Sequence, residues 1–335
     1  MTKHIIVGTL AGALMATTAI AQEVNIYSYR QPELLKPLTD AFHEQTGITV
    51  NVAYLEKGLI ERMKAEGKRS PADVILTVDI ARLAAVVDAD LTQSVTSETV
   101  TQNVPAQYRD PDNHWFGLST RARIAYASKD RVADGELTTY EDLASDKWRG
   151  RICTRSGMHD YNIALTSAVI AHHGTEAAKT WLQGVKDNLA RKPQGNDRAQ
   201  VKAIWSGECD ISIGNTYYMG QMLSDPEQQA WADSVRILFP VFENGGVHVN
   251  VSGVAMAKHA PNPEQAVALI EFLTSPTAQE IYADANFEYP IAAGTEPNDI
   301  VSSWGSFVAD DLNVTELAKH RAAALQMTEQ VDFDN

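Results

Sequence analysis

Val24-Asn25-Ile26-Tyr27-Ser28-Tyr29 alternates apolar and polar residues, as a half-buried strand does. The pattern of the next sixty residues decides the fold. From Glu33 to Phe42 the apolar positions Leu34, Leu35, Leu38, Ala41 and Phe42 recur with helical spacing, and Gly47 closes the segment. Ile48 to Val52 alternates again, and Leu59 to Ala65 returns to helical spacing. Ala72 to Leu76 reads as a buried strand and Ile80 to Asp90 as a helix. This β-α-β-α-β order predicts a parallel sheet flanked by helices.

Toward the C-terminus the same logic repeats. Ala122 to Ser128 reads as a strand able to leave this first lobe. A strand at Arg151–Thr154 meets a Ser156-Gly157 turn, then a helix from Tyr161 to His172 closed by Gly174, then a helix from Thr175 to about Leu189. Asn196-Asp197 can cap a helix from Arg198 to Trp205, which precedes a strand running up to Tyr217. Val235–Phe242 and Val247–Ala257 read as strands separated by Gly245-Gly246. Asn262-Pro263 and Ser275-Pro276 each open a helix, running to about Leu273 and Tyr282. No repeat and no low-complexity linker separates these units, so strand-like crossovers and a hinged cleft are expected.

Toward the N-terminus, Lys3 and His4 precede a short stretch from Ile5 to Ile20 that ends in Ala19-Ile20-Ala21. A basic start, a short apolar run and an A-x-A site predict a secretory leader at 1–21. No later run approaches the roughly 20 apolar residues that span a bilayer. The expected mature protein is exported and soluble, most simply periplasmic. At 335 residues the chain exceeds the roughly 250–300 at which single cores stop growing, which favours two lobes. Its net charge of −15 argues against nucleic-acid binding, which needs a basic footprint. Only Cys153 and Cys209 are present, and an even pair in an oxidising compartment predicts a disulfide.

Among eleven tyrosines, Tyr217 and Tyr218 are adjacent and lie just past the apolar run Ile211-Ser212-Ile213-Gly214. In an open α/β sheet, ligands bind at the carboxyl ends of strands. Phenolate is a hard oxygen donor that suits a hard, highly charged cation. Three phenolates neutralise Fe3+, and Tyr161, where the Ser156-Gly157-Met158 turn opens a helix, is the third candidate. Tyr29 is an additional candidate, weighed against a place in the core or cleft wall. Tyr54, Tyr108, Tyr126, Tyr140, Tyr282 and Tyr289 read as core or surface aromatics. His172 and His173 are neighbours on a helix and point to different faces, which favours a structural role. Asp79 fits a cleft residue or a helix cap. There is no Ser/His/Asp motif, P-loop or dinucleotide glycine run, so an enzyme is not expected.

Several blocks resemble the periplasmic ferric-ion-binding proteins, the solute receptors of iron ABC importers. They include Tyr27-Ser28-Tyr29-Arg30-Gln31-Pro32, Pro71-Ala72-Asp73-Val74, Thr120-Arg121-Ala122-Arg123, Cys153-Thr154-Arg155-Ser156-Gly157, Gly195-Asn196-Asp197-Arg198 and Asn215-Thr216-Tyr217-Tyr218. The likeness runs from about Val24 to about Thr277. It implies the two-lobed type II periplasmic-binding fold, with Tyr161, Tyr217 and Tyr218 as iron ligands. Some members place a His, sometimes followed by Tyr, where Gln31 and Pro32 stand here, and others a Glu near Val78. A synergistic anion, carbonate, is then implied to complete the shell. Arg30 and Arg121, with Gln31, are the expected anion donors, since Arg offers a cationic fork. Ser156, Gly157, Asn196 and Asn215 match positions that hold a phosphate-type anion in other members, and are expected here as outer donors. The expected lobes are 22–120 with about 243–300, and about 121–242 with about 301–335. The expected partner is an inner-membrane ABC permease, with the receptor a monomer. The rival reading is a receptor for another small solute, such as a polyamine, thiamine or an oxyanion.

Overall fold

The computed structural model describes residues 22–335, so the expected leader at 1–21 lies outside the described residues. The strands are β1 (Glu23–Ser28), β2 (Thr49–Tyr54), β3 (Val74–Thr77), β4 (Thr92–Gln93), β5 (Phe116–Ser128), β6 (Ile152–Cys153), β7 (Ile211–Asn215), β8 (Val235–Leu238), β9 (Val249–Ala257) and β10 (Tyr289–Pro290). Their spatial order is β2-β1-β3-β9-β5-β7-β6, with β4 on β9 and with β8 and β10 on β5. β1 pairs in parallel with β2 and β3, as the opening stretch predicts. β9, from far along the chain, then joins β3 antiparallel.

β5 links the two halves. Phe116–Ala122 pairs with β9, and Arg123–Ala127 pairs with β7. All thirteen of its residues are buried. It begins six residues before the strand expected at Ala122. Gly117, Ser119, Thr120 and Arg121 break the apolar pattern there, and they are buried because another strand or side chain covers each face. The chain returns between β8 and β9. Tyr140 Oη donates to the Arg123 carbonyl at 2.6 Å and accepts from His248 N at 3.0 Å. One phenol thus ties both crossings at the same level. β8 stops at Leu238, short of the expected Phe242, because Pro240 has no N–H for a ladder.

Helices Pro32–Thr46, Leu59–Glu66 and Ile80–Asp88 follow the first strands, close to expectation. Asp160–His173, Thr175–Asp187 and Asp197–Trp205 accompany the second half. A helix that local periodicity does not reveal, Thr315–Gln330, packs along Asp160–His173 and also touches Ile80–Asp88. Its alanine-rich stripe buries only Leu317, Ala324, Met327 and Thr328, which makes a faint periodic signal.

Cys153 and Cys209 form the expected disulfide, closing 56 residues between β6 and the turn before β7. The chain-entropy relation gives about 4 kcal/mol for a loop of this size, and typical measured values are about 2–4 kcal/mol. Cys153→Ala/Cys209→Ala is therefore expected to lower unfolding stability by about 2–4 kcal/mol in denaturant titration.

Candidate metal centre

The strand β7 ends at Asn215, and Tyr217 opens the short helix Tyr217–Leu223 rather than closing the strand. Gly214 makes this exit fit. A Cβ there would stand 2.4 Å from the Tyr126 ring, and Tyr126 Oη donates to the Asn215 carbonyl at 2.6 Å. The rings of Tyr217 and Tyr218 pack with centroids 4.3 Å apart. Tyr161 lies in the first turn of Asp160–His173, where the helix dipole favours a developing phenolate. Tyr217 Oη donates to Tyr161 Oη at 3.0 Å. Three phenols from two helix starts thereby reach one cleft of about 450 Å³.

A single buried guanidinium stands behind them. Arg123 donates to Asp197 at 2.7 Å, Asn215 Oδ1 at 3.0 Å and Asn162 Oδ1 at 2.6 Å. It therefore joins the segments that present Tyr161 and Tyr217. Asn215 Nδ2 also reaches Tyr217 Oη at 3.4 Å. Arg155 lies 5.3 Å from the Tyr161 ring centroid and pairs with Asp197. His159 caps the helix by accepting from Tyr161 N at 3.2 Å. Burial, then the charges of Arg155 and Arg123, hold its imidazole down to about 4, so it is neutral and able to accept. Burial pushes the Tyr217 phenol well above its ordinary value, helped by Tyr161 and Tyr218. Tyr218 is pushed up to about 12, first by burial and then by Tyr161.

The facing wall carries Arg30, Gln31, Val78, Arg121 and Glu288, with Tyr29, Tyr54, Glu56 and Arg82 toward the rim. Arg30 donates to Asn286 Oδ1 at 2.6 Å, Ser252 Oγ at 2.9 Å and Glu288 Oε1 at 3.1 Å. Arg121 donates to the Val78 carbonyl and to Ser252 Oγ at 3.3 Å. Burial alone would raise the Glu288 carboxyl, but Arg30 and Arg121 outweigh it and hold it lowered. Over the whole cleft lining, Arg30, Arg82 and Arg121 balance Glu33, Glu56 and Glu288, and the positive charge is local to Arg30 and Arg121. Both Nε atoms are buried without a partner.

The structure brings Tyr161, Tyr217, Tyr218, Tyr29, Arg30, Gln31 and Arg121 to one cleft. Tyr29 is half-buried beneath the Arg82 guanidinium, which lies 4.4 Å from its ring centroid. Tyr54, read as a core or surface aromatic, lines the rim. Asn215 stands beside Tyr217, whereas Asn196 caps Asp197–Trp205 by accepting from Ala199 N at 3.0 Å. Ser156 faces away from the cleft lining and donates to Asp334. Asp79 caps Ile80–Asp88, accepting from Arg82 N at 2.9 Å. His172 and His173 pair with Asp310 and Glu141, which are structural roles. Glu288, Asn286, Ser252 and Arg123 were not singled out from the sequence. Only Arg123 carried a signal, as an arginine two residues from Arg121 on one strand face. Among the described residues no group of three His, Cys, Asp or Glu side chains could hold a metal, and no helix is long and apolar enough to cross a membrane.

A mixed two-lobed sheet with a polar cleft at its crossover defines a class of hinged solute receptors. The family model described as bacterial extracellular solute-binding protein matches residues 38–309, and the chain belongs to that family. Within it the chain falls with the ferric-ion-binding members. It is 44% identical to iron uptake protein A1 of Synechocystis over 315 residues, covering 93% of this chain and 88% of that one. Ferric iron-binding protein A of Mannheimia haemolytica, solved in an open conformation, superposes with a TM-score of 0.91 at 51% identity, covering 94% of this chain and 100% of that one. A Trichodesmium protein solved with iron and citrate ligands gives a TM-score of 0.90 at 42% identity, covering 93% and 99%.

Proposed function

We propose that the protein is a periplasmic receptor that captures one Fe3+ through Tyr161, Tyr217 and Tyr218 with a synergistic anion, and delivers it to an ABC permease. The convergence of three phenols, with Tyr217 Oη 3.0 Å from Tyr161 Oη, carries this reading. Hard oxygen donors with three negative charges match a trivalent cation, and no soft donor enters the cleft. The paired guanidiniums of Arg30 and Arg121 supply cationic donors for an anion bound beside the iron, with Gln31 as a neutral donor. The names of the relatives support iron as the cargo. Carbonate is the proposed anion. The Trichodesmium complex makes citrate the comparison to run against it. The proposed lobes, 22–120 with about 243–300 and about 121–242 with about 301–335, meet at β5 and at the return between β8 and β9. They close on the cargo about those two crossings.

Ferric iron added to the apo protein with bicarbonate is expected to give a tyrosinate-to-iron visible band, weakened without bicarbonate and restored by it. A colourless protein would instead favour a receptor for another small solute. Colour with citrate but none with bicarbonate would replace carbonate as the anion.

A further inference from the structure

We propose that Asp334 acts as a resident anion at the start of the Tyr161 helix and thereby positions that ligand tyrosine. The inference rests on Tyr161 being a ligand. Ser156 Oγ donates to Asp334 Oδ2 at 2.5 Å, and Gly157 N donates to Asp334 Oδ1 at 2.7 Å. Both donors precede the 14-residue helix Asp160–His173, whose N-terminal end favours negative charge. Hydrogen bonds to a carboxylate are shorter and stronger than neutral ones.

The neighbouring residue locks the same turn by shape. A Cβ on Gly157 would stand 2.5 Å from the Phe333 ring, so the turn closes directly over that aromatic. Arg321, on the preceding helix, donates to Asp160 Oδ1 at 2.7 Å. Residues 321–334 therefore hold the turn at both ends, one residue short of Tyr161. Lys186 secures the segment by donating to the carbonyls of Val331 at 2.8 Å and Asp332 at 2.6 Å. Asn162 Nδ2 donates to the Ser156 carbonyl at 3.1 Å, while its Oδ1 accepts from Arg123. A shift of the turn is thus transmitted to the guanidinium that aligns Tyr161 with Tyr217. A resident anion can be replaced by a free one.

The test uses the full chain with Asp334→Ala and Asp334→Ala/Ser156→Ala. Without iron, sodium formate is expected to raise the Tm of Asp334→Ala more than that of wild type or the double variant, because the cleft anion site is common to all three and only Asp334→Ala leaves Ser156 Oγ and Gly157 N free for a second formate. With iron, Asp334→Ala should lose iron to a competing chelator about tenfold more readily than wild type, the scale of an outer-sphere defect. Formate should restore retention relative to wild type at the same formate concentration. Formate acting equally on wild type and Asp334→Ala, or unchanged iron retention in Asp334→Ala, would overturn the proposal. The formate arm is read without iron. A wild type that shows no tyrosinate band therefore removes only the link to Tyr161, and does so separately from the anion exchange.

Discussion

Tyr217→Phe and Tyr218→Phe are each expected to weaken ferric-iron retention by more than about 100-fold, and together to abolish the visible tyrosinate band. Outer-sphere partners of metal ligands already cost about 10–100-fold when removed, so a direct ligand should exceed that range. The substitution removes one oxygen and keeps the ring. The ring packing of the pair at 4.3 Å is retained, and Tyr217→Phe loses only the 3.0 Å hydrogen bond to Tyr161 and the 3.4 Å one from Asn215 Nδ2. One such bond is worth about 1 kcal/mol, so the fold should persist while the site fails. Chelator competition with thermal unfolding separates the two effects. Retention and colour that survive both substitutions would remove this pair from the site.

Binding should release at least two protons per iron. Burial, then Tyr161 and Tyr218, holds the Tyr217 phenol far above its ordinary value, and Tyr218 is pushed up to about 12. Both are therefore protonated in the apo protein at neutral pH, and Fe3+ must displace each proton to bind phenolate. The direction comes from that competition: a lower pH adds protons and weakens iron. With two protons displaced, apparent affinity falls about 100-fold for each unit of acidification. Titration with a pH-stat counts the protons directly. A release below two per iron would mean that one phenol of the pair stays protonated and outside the coordination shell.

The sequence was most legible where local periodicity and burial agree. In the opening β-α-β-α-β stretch the helices and the first two strands alternate or repeat their apolar positions, the third strand is a continuous buried run, and each element appears within a few residues of its expected bounds. The first half of β5 was not legible, because Ser119, Thr120 and Arg121 are buried by strands that arrive more than a hundred residues later. The tyrosine pair could be read because two phenols stand together at a strand exit. Glu288 could not, since its meaning depends on Arg30, 258 residues away in sequence. Arg123 looks like any strand arginine until Asp197, Asn215 and Asn162 converge on it. Asp334 is an ordinary acidic residue until Ser156 and Gly157 meet it.

The burial of β5 along its full length bears on how the cleft moves. A loop joint swivels by breaking and remaking its own hydrogen bonds. A strand laddered on both sides, with Tyr140 riveting it to the returning chain, keeps its bonds and bends. Its amides should rank among the slowest to exchange with deuterated water, although they sit where the motion is centred. The joint is therefore a leaf spring. If the proposed lobes close about it, the bend this strand takes up is expected to relax when the cargo leaves.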